Sequence, residues 1–153
     1  MARTQESDQD YPAVALAPFL AWLVPGLGHW WIGERLRGVI FFVVLTVTFW
    51  GGVAVGGVGT TVAASDNGAW IAAQLCMGPE ALGALYLNIR HTKNATDNNQ
   101  EVYKAPWPAA SISVVYAGVA GMLNLLVIID ALARADARRA SAMERPPPRR
   151  RTN

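Results

Sequence analysis

Pro25-Gly26-Leu27-Gly28-His29-Trp30-Trp31-Ile32-Gly33, running on into Glu34-Arg35-Leu36-Arg37-Gly38, closes one apolar run and opens the next. Proline removes a backbone donor and clashes with the preceding helical turn. A kink or break is therefore expected at Pro25. Gly26 and Gly28, lacking a Cβ, let another backbone approach closely. Trp30 and Trp31 suit the headgroup level of a bilayer, where amphipathic rings are favoured. The turn from Glu34 to Arg37 is very short, which predicts that the runs on either side form a tight antiparallel hairpin.

Outward from this stretch the chain divides into four apolar runs, approximately 13–32, 38–58, 69–89 and 109–133. A run of about 20 residues at a rise of about 1.5 Å matches a hydrocarbon core of roughly 30 Å. The expected fold is all-α: a polytopic membrane protein with about four transmembrane helices in a single domain, 13–133. A polar, acidic N-terminal tail (1–12) precedes it, and an Arg/Pro-rich tail (134–153) of disordered composition follows. Gly78-Pro79-Glu80 interrupts the third run with a helix-start signature. That leaves one proline-kinked span or two half-helices, and the kinked span is the expectation. Gly52 and Gly56, four residues apart, form a small-residue pair suited to close helix packing, and Ala117, Gly121 and Asn124 share a face of the fourth run.

The charges follow the same division. Hydrophobic residues make up 52% of the 153-residue chain, and of eleven charged residues between Val14 and Ala133 only Glu80 and Asp130 lie away from the connections. Such segregation points to lipid as the solvent. Seven of the thirteen basic residues follow Ala133. Anionic headgroups are their expected partner, and no nucleic acid is expected. Cys76 is the sole cysteine, which excludes an internal disulfide. It reads as a small buried residue. The acidic start (Glu6, Asp8, Asp10) lacks the basic region of a cleaved signal peptide. With four spans both termini share one side, and eight basic residues against five favour the cytoplasm. The basic Glu34–Arg37 turn, placed opposite by that arrangement, argues the other way. A re-entrant run would remove the conflict.

Gly28, His29, Trp30, Trp31, Gly33 and Gly38 together resemble the two-transmembrane-hairpin domain, with its glycine-spaced helix end, aromatic residues and tight basic turn. Trp30 stands where that domain commonly has a basic residue, and Trp31 where it has tyrosine. With Ala120–Ala131 as a second mark, the whole chain resembles a small, uncharacterised bacterial family of four-span inner-membrane proteins. The resemblance implies a multi-pass protein of the bacterial inner membrane and no agreed biochemical activity.

The polar residues inside the apolar runs form the candidate site: Glu80, Asn124 and Asp130. A carboxylate deep in a bilayer is costly unless paired or hydrated. Glu80 is either a proton- or cation-binding group, with Asn124 as partner at similar depth, or a structural carboxyl. Asn124 also reads as an interhelical hydrogen-bonding residue. Asp130 and Arg134 have the i,i+4 spacing of a helical ion pair. His29, His91 and Glu34 would face the same side of a four-span bundle, but their spacing matches no zinc motif. No cofactor fingerprint and no nucleophile–base pattern occurs. The expected role is that of a structural or accessory membrane component, not an enzyme, packed with itself or with a membrane partner. A small oligomeric transporter using Glu80 and Asn124 is the alternative, and a metal-dependent membrane enzyme a weaker one.

Overall fold

The computed structural model describes residues 6–62, 68–101 and 104–144. They form seven helices: α1 (Glu6–Leu23), α2 (Leu27–Trp31), α3 (Arg35–Gly56), α4 (Val58–Thr61), α5 (Gly68–Leu75), α6 (Pro79–Asp97) and α7 (Trp107–Met143). No strand occurs among the described residues. Two of the helices, α3 and α7, are long and apolar enough to cross a membrane.

The helix α7 is the pillar on which the others are assembled. At 37 residues it is about 55 Å long. It packs most extensively against α3, then α1 and α5. The contacts along it fix the direction of each neighbour. Near its start, the Ser113 side chain fills the space beside Gly56, and Gly52 lies against the Ser113 and Ala117 backbone. Near its end, Arg134 reaches Glu34, just before α3. So α3 runs antiparallel to α7, and at Gly52 the helix lies directly against the α7 backbone. In the other direction, Trp70 sits on Gly118 and the Ala73 carbonyl on Gly121, while the Asn124 amide donates to the Cys76 carbonyl at 2.8 Å. The helix α5 therefore runs parallel to α7 and stops halfway along it.

Both of the apolar runs that contain an internal proline reverse direction. Gly28 packs against Ala17, Ala21 and Ala131 at once, whereas the Trp22 carbonyl abuts Gly78, two residues beyond Cys76. Thus α1 runs from the Arg134 end of α7 towards its middle and ends there. Gly26, at φ 82°, turns the chain back, and α2 returns to the end from which α1 came. The same occurs in mirror sense at Gly78, at φ 67°. Beyond it α6 packs on α4, and Leu85 shares a small cavity with Val62 and Ile71. The Thr60 hydroxyl in α4 accepts from the Ala105 amide, just before α7, so α6 travels back towards the start of α7.

This arrangement corrects several expectations. The runs 13–32 and 69–89 are each two helices with a reversal, not single spanning helices, because a left-handed glycine beside a proline ends each first segment. The kinked span expected at 69–89 is likewise replaced by separate helices. Since α1 and α3 both run antiparallel to α7, they point the same way and are no antiparallel hairpin. Helix also extends past the expected boundaries, from Glu6 within the N-terminal tail and to Met143 within the C-terminal one. In the latter, four alanines between Ala135 and Ala142 favour helix. The remaining tail residues, 1–5 and 145–153, and most of the Ser65–Gly68 turn lie outside the described residues.

Candidate functional site

The quoted motif folds into the most connected polar cluster among the described residues. Gly26 carries no Cβ where one would strike the Gly38 carbonyl, and Gly38 in turn faces the Gly26 and Trp30 backbone. This contact locks the start of α3 to α2. It also aims His29 inward, where the imidazole is fully buried. Its Nε2 lies 2.8 Å from Oδ2 of Asp130, 101 residues away, so the ring donates to the carboxylate. Phe41 stacks edge-on against the imidazole at 5.0 Å between ring centres. Nδ1 is buried without a hydrogen bond among the described residues.

The same Asp130 oxygen accepts from Nε of Arg134 at 2.8 Å. Arg134 extends its other arm to Oε1 of Glu34, 3.2 Å from Nη1. Glu34 is further approached by Arg138 at 3.5 Å and by Arg37 at 3.6 Å. The result is a continuous chain, His29–Asp130–Arg134–Glu34, flanked by two more guanidiniums. It ties the α2–α3 turn to the last third of α7.

The other expected site residues are placed apart from it. Glu80 opens α6 beside the Gly78 reversal; its Oε1 accepts from the Thr46 hydroxyl of α3 at 2.8 Å, and the Trp50 indole is adjacent. Asn124 is fully buried and its amide is committed to the Cys76 carbonyl. That carbonyl belongs to the broken turn between α5 and α6, where no helical partner remains for it. The three residues Glu80, Asn124 and Asp130 therefore serve three separate contacts, and Asn124 and Glu80 are not hydrogen-bonded to each other. His29, Glu34 and His91 are separated too: His91 is exposed on the part of α6 that returns to the start of α7. No three His, Cys, Asp or Glu side chains gather to hold a metal ion among the described residues.

The Asp130–Arg134 pair was readable from its spacing. The His29–Asp130 contact was not, because it depends on the chain reversal at Gly26. Arg138 falls in a stretch whose composition suggests a disordered tail, and only the continuation of α7 carries it to Glu34.

The fold and the cluster define a class: an all-helical protein built on two helices of membrane-crossing length and character, with two broken helical segments packed against them. The chain belongs to DUF6677, a family of unknown function, whose pattern matches residues 16–143. The match takes in both long helices, both reversals and the His29–Glu34 cluster. No curated protein and no solved structure matches the chain.

Proposed function

We propose that this chain is an integral membrane protein of the bacterial inner membrane that acts as a structural or accessory component. The carrying observation is the outward face of the two long helices. Only 28% of the most apolar window of α3 and 39% of that of α7 is buried inside the molecule. The exposed remainder is rich in Val, Ile, Leu and Trp. A core helix of a water-soluble domain buries such a surface, whereas lipid accepts it. In this reading α3 and α7 cross the bilayer. The pair α1–α2 enters from the Arg134 end and returns, α5–α6 enters from the Trp107 end and returns, and the two tips meet at Gly78 and Trp22. Non-helical backbone at that depth is tolerated because it is enclosed by protein. The first and last described residues, Glu6 and Glu144, lie at the Arg134 end, together with Arg35, Arg37, Arg134, Arg138 and Arg139. Only Arg90, Lys93 and Lys104 among the described basic residues lie at the other end. The bias supports a cytoplasmic Arg134 end.

The structural role is supported by the use made of the buried polar groups. His29, Asn124 and Glu80 each bind a second element (Asp130, the Cys76 carbonyl, Thr46). The test is extraction: the protein stays with membranes through alkaline carbonate and leaves them only in detergent. Release into the carbonate supernatant would overturn the proposal. A second reading, a small transporter, is favoured by Glu80, a carboxylate at the tip where two broken helices meet, the arrangement transporters use for ion sites. Under that reading Glu80→Gln abolishes ion-dependent flux in vesicles at unchanged stability. Under the structural reading vesicles show no such flux, and Glu80→Gln changes only stability.

A further inference from the structure

We infer that the cleft between the Gly33–Arg37 turn and Arg134 of α7 binds the headgroup of an anionic phospholipid. The inference rests on the membrane reading above and adds a ligand to it.

The cleft is a shallow, open depression of about 480 Å³ lined by Gly33, Glu34, Arg35, Leu36, Arg37 and Arg134. Its charge is unbalanced. Four guanidiniums, those of Arg35, Arg37, Arg134 and Arg138, gather around two carboxylates, Glu34 and Asp130. Arg134 is saturated by both acids at 2.8 and 3.2 Å. Glu34 must then also serve Arg37 at 3.6 Å and Arg138 at 3.5 Å, whose side chains stay more than half exposed. One carboxylate does not neutralise three guanidiniums. Arg35 lines the same cleft with no ion-pair partner among the described residues. Two positive charges are left over in a recess where Glu34 holds the guanidiniums in place. Planar guanidinium forks match phosphate oxygens. The first turn of α3 adds to this, since no side chain caps it.

Apolar surface at the same place selects a lipid over a free phosphate. Leu36 lies within the cleft wall and is 76% exposed, and Val39, Ile40, Trp30 and Trp31 are exposed nearby. A ligand that satisfies both the arginines and Leu36 carries a phosphate and an acyl chain. The cleft also lies where α3 begins, at the level of a headgroup, where a juxtamembrane basic cluster meets anionic lipid.

The experiment uses the full chain purified in a nonionic detergent, with phosphatidylglycerol, phosphatidylcholine and inorganic phosphate as probes. Binding is read by native mass spectrometry and by the thermal midpoint. Phosphatidylglycerol is expected to remain bound and to raise the midpoint, and the other two to do neither. Arg35→Gln with Arg37→Gln, both on exposed side chains, is expected to weaken phosphatidylglycerol about thirtyfold, roughly fivefold per guanidinium. Arg90→Gln with Lys93→Gln, at the opposite end, is expected to leave it unchanged. Equal binding of phosphatidylcholine, equal stabilisation by phosphate, or an unaltered affinity in the arginine variant would each overturn the inference. Carbonate extraction of the same variants separates the two proposals: a protein that stays in membranes yet shows no lipid preference sinks the cleft alone.

Discussion

At the residue scale the molecule depends on a few side chains that cannot be exchanged for neighbours of similar size. His29 is the clearest. It is enclosed completely, it donates to Asp130, and its ring packs against Phe41. Truncating it removes a ring from a closed site and takes one of two donors from Asp130. His29→Ala is therefore expected to destabilise the protein by about 2–4 kcal/mol, measured as unfolding in detergent. The other histidine is the control: His91 is exposed on α6, and His91→Ala is expected to stay within about 0.5 kcal/mol. Equal effects of the two would mean that the Asp130 contact contributes nothing. The polar residues as a class were legible in the sequence, because charge and amides inside apolar runs stand out. Their partners were not. Asp130 announced Arg134 through helical spacing, but nothing in the spacing of His29 announces a residue 101 positions away.

At the scale of elements, the reversals decide the architecture, and each is made by one glycine. Gly26 has a backbone that L side chains avoid, and a Cβ there would run into the Gly38 carbonyl, which is backbone and cannot step aside. Gly26→Ala therefore combines left-handed strain with a steric conflict. A loss of about 2 kcal/mol or more is expected, together with loosening of α2 from α3. Gly51 lies within α3 with open space where its Cβ would be. There the same substitution only removes the flexibility of a helical glycine, so Gly51→Ala is expected to stabilise by about 0.5–1 kcal/mol. Thermal unfolding of both variants in one detergent checks the sign as well as the size. Pro25-Gly26 and Gly78-Pro79 were readable as breaks from the sequence alone. What could not be read was how far the chain turns: a kink and a reversal carry the same residues, and only the contacts of Gly28 with Ala17 and of Gly78 with Trp22 tell them apart.

For the whole molecule, the reversals change which ends of the chain meet. Four full crossings would put the Glu34–Arg37 turn on the side opposite both termini. They would also leave the basic residues divided against the usual cytoplasmic bias. With α1–α2 and α5–α6 entering and returning, the turn joins the first and last described residues, the arginines of α3 and α7 gather at one end, and the conflict disappears. The two arrangements differ at one accessible place. In a Cys76→Ser background, Leu36→Cys, Asn99→Cys and Glu144→Cys each introduce a single thiol at a described, exposed position. With a membrane-impermeant maleimide on spheroplasts, the re-entrant arrangement predicts that Asn99→Cys alone is labelled. Leu36→Cys and Glu144→Cys react only after the membrane is opened. Four complete spans predict instead that Leu36→Cys and Asn99→Cys react together, so a labelled Leu36→Cys beside a protected Glu144→Cys would remove the re-entrant arrangement. It would also place the arginine cleft on the outer surface, against the usual cytoplasmic bias of basic residues.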